Sequence, residues 1–219
     1  MYNGVKKEIT DYQYYLFDAD GTLIDTEELI YQSYKETIKR CSLPEIPRER
    51  MQVEIGKPLK SNLEAFLGKR DKDELERISR EHIAYQFSIA HKYLRLFSGV
   101  KEVLSSLKSR GKNLAIVTSR SSETLLEYFR QLEIFPFFDF FITPEMTKNH
   151  KPHPEPVLKA MKLLNAKPAD CLFVGDTQYD YESAARAGVK FCFVTWSFTK
   201  YTELQPAPDY FAAHMSEFL

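Results

Sequence analysis

Short apolar runs alternate along the chain with longer amphipathic stretches, and this alternation predicts parallel strands covered by helices. Strand-like runs occur at residues 14–18, 114–118, 139–142, 171–175 and 191–195. Amphipathic stretches occupy residues 100–110, 121–132, 154–164 and 179–187. A helix between two strands favours parallel pairing because it carries the chain back across one face of the sheet. The predicted fold class is therefore α/β, with a doubly wound, Rossmann-like parallel sheet.

One interval departs from this alternation. After Asp25 we predict no strand until Leu114, although helical spacing recurs at residues 27–40, 58–67 and 71–94. A helical block of this length exceeds a simple crossover between strands and indicates an inserted domain. We place this helical domain at residues 24–95, and we expect residues 1–23 and 96–219 to form a discontinuous α/β core.

The charge balance excludes some classes of partner. Lys and Arg total 30 and Asp and Glu total 31, which gives a formal net charge of −1. Contacts with nucleic-acid phosphates need a basic surplus, so we expect no nucleic-acid partner. No apolar run approaches membrane-spanning length, and the first residues lack the apolar segment of a signal peptide. We expect a cytoplasmic protein without a membrane partner, either a monomer or a homodimer.

Chemically active side chains follow four of the predicted strands. They are Asp18 and Asp20, then Thr118 and Ser119, then Lys151, and finally Asp176 and Asp180. In a doubly wound sheet the carboxyl ends of the strands meet at one edge, and ligands bind there. Four carboxylates at one edge repel one another unless a cation compensates. Oxygen ligands of this kind suit Mg²⁺, whose remaining coordination positions accept a phosphate oxygen.

Four stretches resemble the signature motifs of the haloacid dehalogenase-like (HAD) hydrolase superfamily. They are "FDADGTLIDTE", "IVTSR", "HKPHPEP" and "VGDTQYDYESAARAG", in that order along the chain. The resemblance runs from about Tyr14 to the C-terminus, and it is greatest to phosphoglycolate-phosphatase-like members. The helical block after the first motif resembles the C1-type cap of this superfamily.

The resemblance implies a role for each motif residue. Asp18 is the expected nucleophile and forms an aspartyl-phosphate, and Asp20 is the expected general acid and base. Thr118 is expected to donate a hydrogen bond to the transferring phosphoryl group. Lys151 is expected to neutralise charge on Asp18 and on the phosphoryl oxygens. A carboxylate suits this chemistry because it attacks phosphorus without first losing a proton.

The resemblance also implies Mg²⁺ as the cofactor. The expected ligands are the Asp18 carboxylate, the main-chain carbonyl of Asp20 and the Asp176 carboxylate, with Asp180 as a supporting residue. Ser119 is expected either to support the site or to cap the helix that follows it.

The stretch "EIGKPLKSN" resembles the substrate-specificity loop of the cap. Gly56 and Lys57 are expected near the non-phosphate end of the substrate. For Lys57, an exposed surface position is an equally good interpretation.

The predicted function is Mg²⁺-dependent hydrolysis of a small phosphomonoester metabolite. Phosphoglycolate-like compounds, sugar phosphates, nucleotides and pyrophosphate are all candidates. A phosphomutase resembling β-phosphoglucomutase is the alternative, although no arginine lies near Gly56 where a mutase-like phosphate clamp is expected. Asp20 disfavours a haloacid dehalogenase or a phosphonatase. A catalytically silent binding module is disfavoured because Asp18, Asp20, Lys151 and Asp176 are all present.

Overall fold

The computed structural model describes residues 7–54, 57–197 and 206–219, but not the side chains of residues 52–54. Its centre is a six-stranded sheet. Its strands are β1 (Tyr14–Phe17), β4 (Asn113–Val117), β5 (Phe140–Ile142), β6 (Cys171–Gly175), β7 (Lys190–Val194) and β8 (Tyr210–Ala212). All neighbouring pairs are parallel, and the spatial order is β5-β4-β1-β6-β7-β8. This arrangement confirms the predicted α/β fold class.

Helices cover both faces of the sheet. They are α5 (Val100–Ser109), α6 (Ser122–Gln131), α7 (Glu155–Leu164) and α8 (Gln178–Ala187). Alternate residues of β1 point to opposite faces, so Tyr15 and Phe17 pack with α5 and α6, whereas Leu16 packs with α7 and α8. Both faces are buried, which explains why the strands are continuous apolar runs.

Between the first and second strands of this sheet, the described residues form four helices. They are α1 (Glu27–Arg40), α2 (Arg48–Glu54), α3 (Leu59–Leu67) and α4 (Lys72–Tyr93). Their apolar faces form a separate cluster that includes Ile30, Tyr34, Leu63 and Phe66. At the base of this segment, β2 (Ile24–Asp25) pairs antiparallel with β3 (Arg95–Leu96).

The prediction of no strand between Asp25 and Leu114 was wrong, because β3 lies there, and β8 was not predicted. Pairing in β2–β3 involves only two residues per strand, which is too short for a periodic pattern. Within the described ranges, none of the helices has the length and apolarity needed to cross a membrane.

The topology places the site at β1. Its neighbours are β4 on one side and β6 on the other, so the chain winds outward from β1 in both directions. A crevice opens at such a switch point, beyond the carboxyl ends of the strands.

Candidate active site

Asp18 lies directly beyond β1, at the centre of this crevice. Its backbone N–H donates to the Val174 carbonyl of β6 at 2.9 Å, which continues the parallel ladder by one residue. Its side chain is buried between strand ends, and Asp18 is only 4% exposed. The sheet itself therefore fixes the position of this carboxylate.

Lys151 is the buried cation that pairs with Asp18. Its ammonium group donates to Asp18 Oδ1 at 2.9 Å, to Asp180 Oδ1 at 2.6 Å and to the Val117 carbonyl at 3.2 Å. Burial alone would lower the pKa of Lys151, but Asp18 and Asp180 together hold it above its usual value. Lys151 is therefore a permanent positive charge between two carboxylates.

Asp180 also organises the start of α8. Its Oδ2 accepts hydrogen bonds from the Thr177 N–H at 3.1 Å and from the Thr177 hydroxyl at 2.6 Å. In return the Thr177 hydroxyl accepts from the Asp180 N–H at 3.2 Å, which completes a capping box. One carboxylate thus caps the helix and holds Lys151.

Asp18, Asp176 and Asp180 form a group of carboxylates that could hold a metal ion. Each offers an oxygen that lies within 4.8 Å of the other two. Burial raises the pKa of Asp18 well above its usual value; Lys151 opposes this shift, whereas Asp180 and Asp176 reinforce it. Three buried carboxylates beside one lysine retain uncompensated negative charge, which a divalent cation with a preference for oxygen would balance.

Asp176 is held against the loop that follows β1. Its Oδ2 accepts from the Ser197 hydroxyl at 2.6 Å, and its Oδ1 accepts from the Thr22 hydroxyl at 3.4 Å. Gly21 has a φ of +76°, and a Cβ built on it would lie 2.2 Å from Asp176 Oδ2. Only glycine therefore fits here, both for its backbone conformation and for the close approach of the carboxylate.

Asp20 faces a different cation, Arg120, which the sequence analysis did not identify. Arg120 Nε donates to Asp20 Oδ2 at 2.8 Å, and Arg120 Nη2 donates to Asp20 Oδ1 at 2.6 Å. Asp20 Oδ1 also accepts from the Thr26 hydroxyl at 2.5 Å. Arg120 is the last residue of the "IVTSR" motif. A positively charged residue directly after the hydroxyl residues of this motif is the sequence feature that could have identified it.

Arg120 connects the sheet to the helical segment. Its Nη1 donates to Gln86 Oε1 of α4 at 3.0 Å, and its guanidinium carbon lies 5.0 Å from the centre of the Tyr128 ring. The Tyr128 hydroxyl donates to the same Gln86 oxygen at 3.1 Å. Burial opposes the charge of Arg120, but Asp20 holds the pKa of Arg120 above its usual value.

Thr118 and Ser119 lie at the end of β4 and line the same pocket as Asp18 and Asp20. The Thr118 N–H donates to the Ile142 carbonyl at 3.0 Å, and its hydroxyl accepts from the Arg120 N–H at 3.2 Å. The helix-cap interpretation of Ser119 was wrong, because Ser121 is the residue that precedes α6. Ser119 Oγ is buried and has no hydrogen-bond partner among the described residues.

The helical segment forms the other wall of the pocket. It is lined from this side by Lys57, Asn62, His82 and Gln86. The expected contact of Lys57 with the non-phosphate end of the substrate stays a prediction. Gly56 lies outside the described residues. Burial, reinforced by the charge of Arg120, lowers the pKa of His82 to about 3. His82 is therefore a neutral ring, and its Nδ1 lies 2.9 Å from the Thr37 hydroxyl.

Comparison with known proteins places the chain in a family. Residues 15–194 match the family described as haloacid dehalogenase-like hydrolase. The chain belongs to this family, which confirms the resemblance found in the motifs and the prediction that the protein is an enzyme of this hydrolase class.

Individual relatives extend over nearly the whole chain. A protein of Caldanaerobacter subterraneus subsp. tengcongensis named putative pyrophosphatase PpaX is 37% identical over 93% of this chain and 91% of its own. The pyrophosphatase PpaX of Bacillus cereus is 32% identical over 93% of both chains. A crystal structure described as a putative haloacid dehalogenase-like hydrolase from Bacteroides fragilis superposes with a TM-score of 0.83. It is 30% identical, and the match covers 95% of this chain and 100% of that one.

Proposed function

We propose that the protein is a Mg²⁺-dependent phosphatase that hydrolyses a small phosphorylated compound through an aspartyl-phosphate on Asp18. The observation that carries this proposal is the buried pair of Asp18 and Lys151 beside Asp176 and Asp180, at the switch point of the sheet. A carboxylate held by a lysine among other carboxylates is arranged for nucleophilic attack on an anionic group.

The first step is attack of an Asp18 oxygen on phosphorus, in which the bond from phosphorus to the leaving-group oxygen breaks and that oxygen departs with the bonding electron pair. Lys151 holds the carboxylate in place and offsets the negative charge that Asp18 and the phosphoryl oxygens share. The Thr118 hydroxyl donates to one phosphoryl oxygen. Asp18 and Asp176, with the Asp20 carbonyl, would hold Mg²⁺ with Asp180 in support, and the ion would supply charge stabilisation for the phosphoryl group. Phosphoryl transfer depends largely on such positioning and charge stabilisation.

The second step is hydrolysis of the acyl phosphate. A water molecule attacks phosphorus and loses a proton to the Asp20 carboxylate, while the bond between phosphorus and Asp18 breaks. Asp20 lies two residues beyond Asp18, so it reaches the same pocket from the same loop. This assignment gives the two carboxylates of the first motif separate roles.

The pocket wall formed by the helical segment selects the substrate. We propose residues 24–95 as a cap domain, with residues 1–23 and 96–219 as the core, because the pocket lies between α4 and the strand ends. The relatives named pyrophosphatase make inorganic pyrophosphate the first compound to test. Phosphoglycolate and sugar phosphates follow.

Replacement of the nucleophile tests this function. Asp18→Asn should abolish hydrolysis of p-nitrophenyl phosphate, because an amide oxygen is a poor nucleophile and forms no stable acyl phosphate. EDTA should abolish hydrolysis by the unaltered enzyme, and added Mg²⁺ should restore hydrolysis. Asp73→Asn, on the exposed start of α4, is the matched control and should retain activity. Hydrolysis that persists at the original rate in Asp18→Asn would remove Asp18 as the nucleophile.

A further inference from the structure

Arg120 is a buried cation in the pocket, and the proposed steps above give it no role. Its side chain is 7% exposed and the paired Asp20 side chain is 16% exposed. A buried ion pair contributes little net stability, because removing two charges from water offsets most of their attraction. A function in binding explains the cost of placing an arginine here.

The pairing determines what Asp20 does before substrate binds. Both oxygens of Asp20 accept hydrogen bonds, from Arg120 on each oxygen and from Thr26 on one. In this arrangement Asp20 is an acceptor only. An alcohol leaving group needs a donor, since an alkoxide is a poor leaving group without a proton. A phosphate leaving group that already carries one proton is a much weaker base than an alkoxide and departs as an anion, so it needs a nearby cation instead.

Arg120 retains donors for such an anion. A guanidinium group has five N–H groups, and the hydrogen bonds found within the described residues occupy three of them, two on Asp20 and one on Gln86. The buried Ser119 hydroxyl next to it has no partner among the described residues. Lys57 lines the same pocket, in addition to Arg120 and Lys151. A planar guanidinium in a pocket that is also lined by a serine hydroxyl and a lysine is well suited to phosphate oxygens.

We propose that Arg120 determines substrate specificity by binding the leaving phosphate of a diphosphate substrate, so that the enzyme favours phosphoanhydrides over phosphate esters of alcohols. This inference rests on the proposed phosphatase function and adds a residue and a substrate class to it. Two cationic positions then serve the two phosphoryl groups of the substrate. Lys151 serves the group that is transferred to Asp18, and Arg120 serves the group that leaves.

The chemistry balances without a proton donor in the first step. An Asp18 oxygen forms a bond to the first phosphorus as the bond from that phosphorus to the bridging oxygen breaks. The electron pair stays on the bridging oxygen, which becomes the fourth oxygen of the departing phosphate beside Arg120. Water then hydrolyses the acyl phosphate with Asp20 as the base. Asp20 then releases the proton it takes from water to a product phosphate or to solvent, so one diphosphate and one water molecule yield two phosphates, and Asp18 and Asp20 both return as carboxylates.

A ratio of two substrates tests this role. The enzyme with Mg²⁺ is assayed on inorganic pyrophosphate and on glycerol 2-phosphate, whose leaving group is an alcohol. In the unaltered protein, kcat/KM should be higher for pyrophosphate. In Arg120→Met, the ratio of kcat/KM for pyrophosphate to that for glycerol 2-phosphate should fall by ~100-fold, the loss expected for one charged contact. The ratio should fall less in Arg120→Lys, because lysine keeps the positive charge but lacks the planar guanidinium group.

Matched variants and a ligand measurement separate the possible outcomes. Arg77→Met, which removes an exposed arginine paired with Glu81, should leave the ratio unchanged. An equal loss for both substrates in Arg120→Met would show a merely structural role and overturn the inference. Independently of any variant, methylenediphosphonate should inhibit the unaltered enzyme at ~10-fold lower concentration than inorganic phosphate. Equal inhibition by methylenediphosphonate and by inorganic phosphate would also overturn the inference.

The failure of this inference differs from failure of the proposed function. If hydrolysis of p-nitrophenyl phosphate depends on Asp18 but pyrophosphate is not preferred, the phosphatase assignment stands and the role of Arg120 is wrong. If no phosphate compound is hydrolysed in an Asp18-dependent way, the proposed function itself is wrong.

Discussion

The two buried cations of the site, Lys151 and Arg120, occupy different settings. Among the described residues, the Lys151 ammonium group donates to Asp18 after β1, to the Val117 carbonyl at the end of β4 and to Asp180 in the first turn of α8, all outside the helical segment. Arg120 joins Asp20 at the sheet to Gln86 on α4 of the helical segment. The geometry around Asp18 is therefore fixed by the strand ends and the start of α8, without the helical segment. The geometry around Asp20 depends in addition on where α4 lies.

This difference suggests a division of the active site. A rigid sheet edge suits the proposed step that every substrate would share, in which Asp18 would receive a phosphoryl group. A connection that spans sheet and helical segment suits the part that distinguishes one leaving group from another. Substitutions around Lys151 should therefore affect every substrate, whereas substitutions around Arg120 should change the preference among substrates.

Loss of Lys151 should have the largest effect. Lys151→Met leaves the Asp18 and Asp180 carboxylates buried without their cation, and breaking such a pair costs about 3–5 kcal/mol of unfolding free energy. Hydrolysis of all substrates should fall by ~10³-fold or more, since positioning and charge stabilisation supply most of phosphoryl-transfer catalysis. Urea unfolding and steady-state rates measure the two losses.

An exposed lysine provides the control for this prediction. Lys101 forms an ion pair with Glu133 at 2.6 Å, and the two side chains are 43% and 80% exposed. Lys101→Met should leave both rate and stability nearly unchanged, because exposed pairs contribute little. If Lys151→Met lowers hydrolysis of one substrate class but leaves the other unchanged, the proposed division between the two cations is wrong.

The sequence predicted the part of the site that depends on the sheet. Strand β6 was placed at residues 171–175, as observed, because it is a continuous apolar run that ends in Gly175 and Asp176. Parallel strands align their carboxyl ends, so Asp18, Thr118 and Asp176 were expected to meet there, and the structure places them at one end of the sheet. Periodicity and topology were sufficient for these residues.

The helical side could not be predicted in the same way. The contact between Arg120 and Asp20 joins residues 100 positions apart, and it depends on a side-chain direction rather than on a strand end. Its second anchor, Gln86, is one polar residue on a long helix whose orientation the sequence does not specify. Strand β8 was missed for a related reason. It is short, and Phe211 is 46% exposed, so it lacks the apolar pattern of a central strand.

The neutral histidine of the helical segment gives a pH-dependent prediction. The pKa of His82 is about 3 in the folded protein, against about 6.5 in an unfolded chain. Below pH 6.5 the unfolded state binds a proton that the folded state does not, so stability falls as the pH drops from 6.5 toward 3. The slope contributed by His82 should approach about 1.4 kcal/mol per pH unit in this window.

Two variants isolate this contribution. His82→Gln removes the titrating group, so its unfolding free energy should decrease less steeply with acidification than that of the unaltered protein. Thr37→Val removes the hydroxyl that lies 2.9 Å from His82 Nδ1 but keeps the ring, so the slope should persist. Denaturant unfolding from pH 7 to pH 5 measures all three proteins. Identical slopes in the unaltered protein and His82→Gln would contradict the assignment.

The contact between Arg120 and α4 gives the smallest expected effect and the most direct test of the comparison. Gln86→Leu removes an acceptor shared by Arg120 Nη1 and the Tyr128 hydroxyl, and it should cost about 1–2 kcal/mol of unfolding free energy. Tyr128→Phe removes only one of the two donors, so a double-mutant cycle measures the coupling between Gln86 and Tyr128.

The pyrophosphate preference should decrease in Gln86→Leu because Arg120 loses its hydrogen bond to α4. The rate with p-nitrophenyl phosphate should change less, since Lys151 and Asp18 have no contact with Gln86 among the described hydrogen bonds. If both activities fall together, Arg120 and Lys151 act as one unit, and the distinction between a sheet-fixed and a helix-dependent half of the site is wrong.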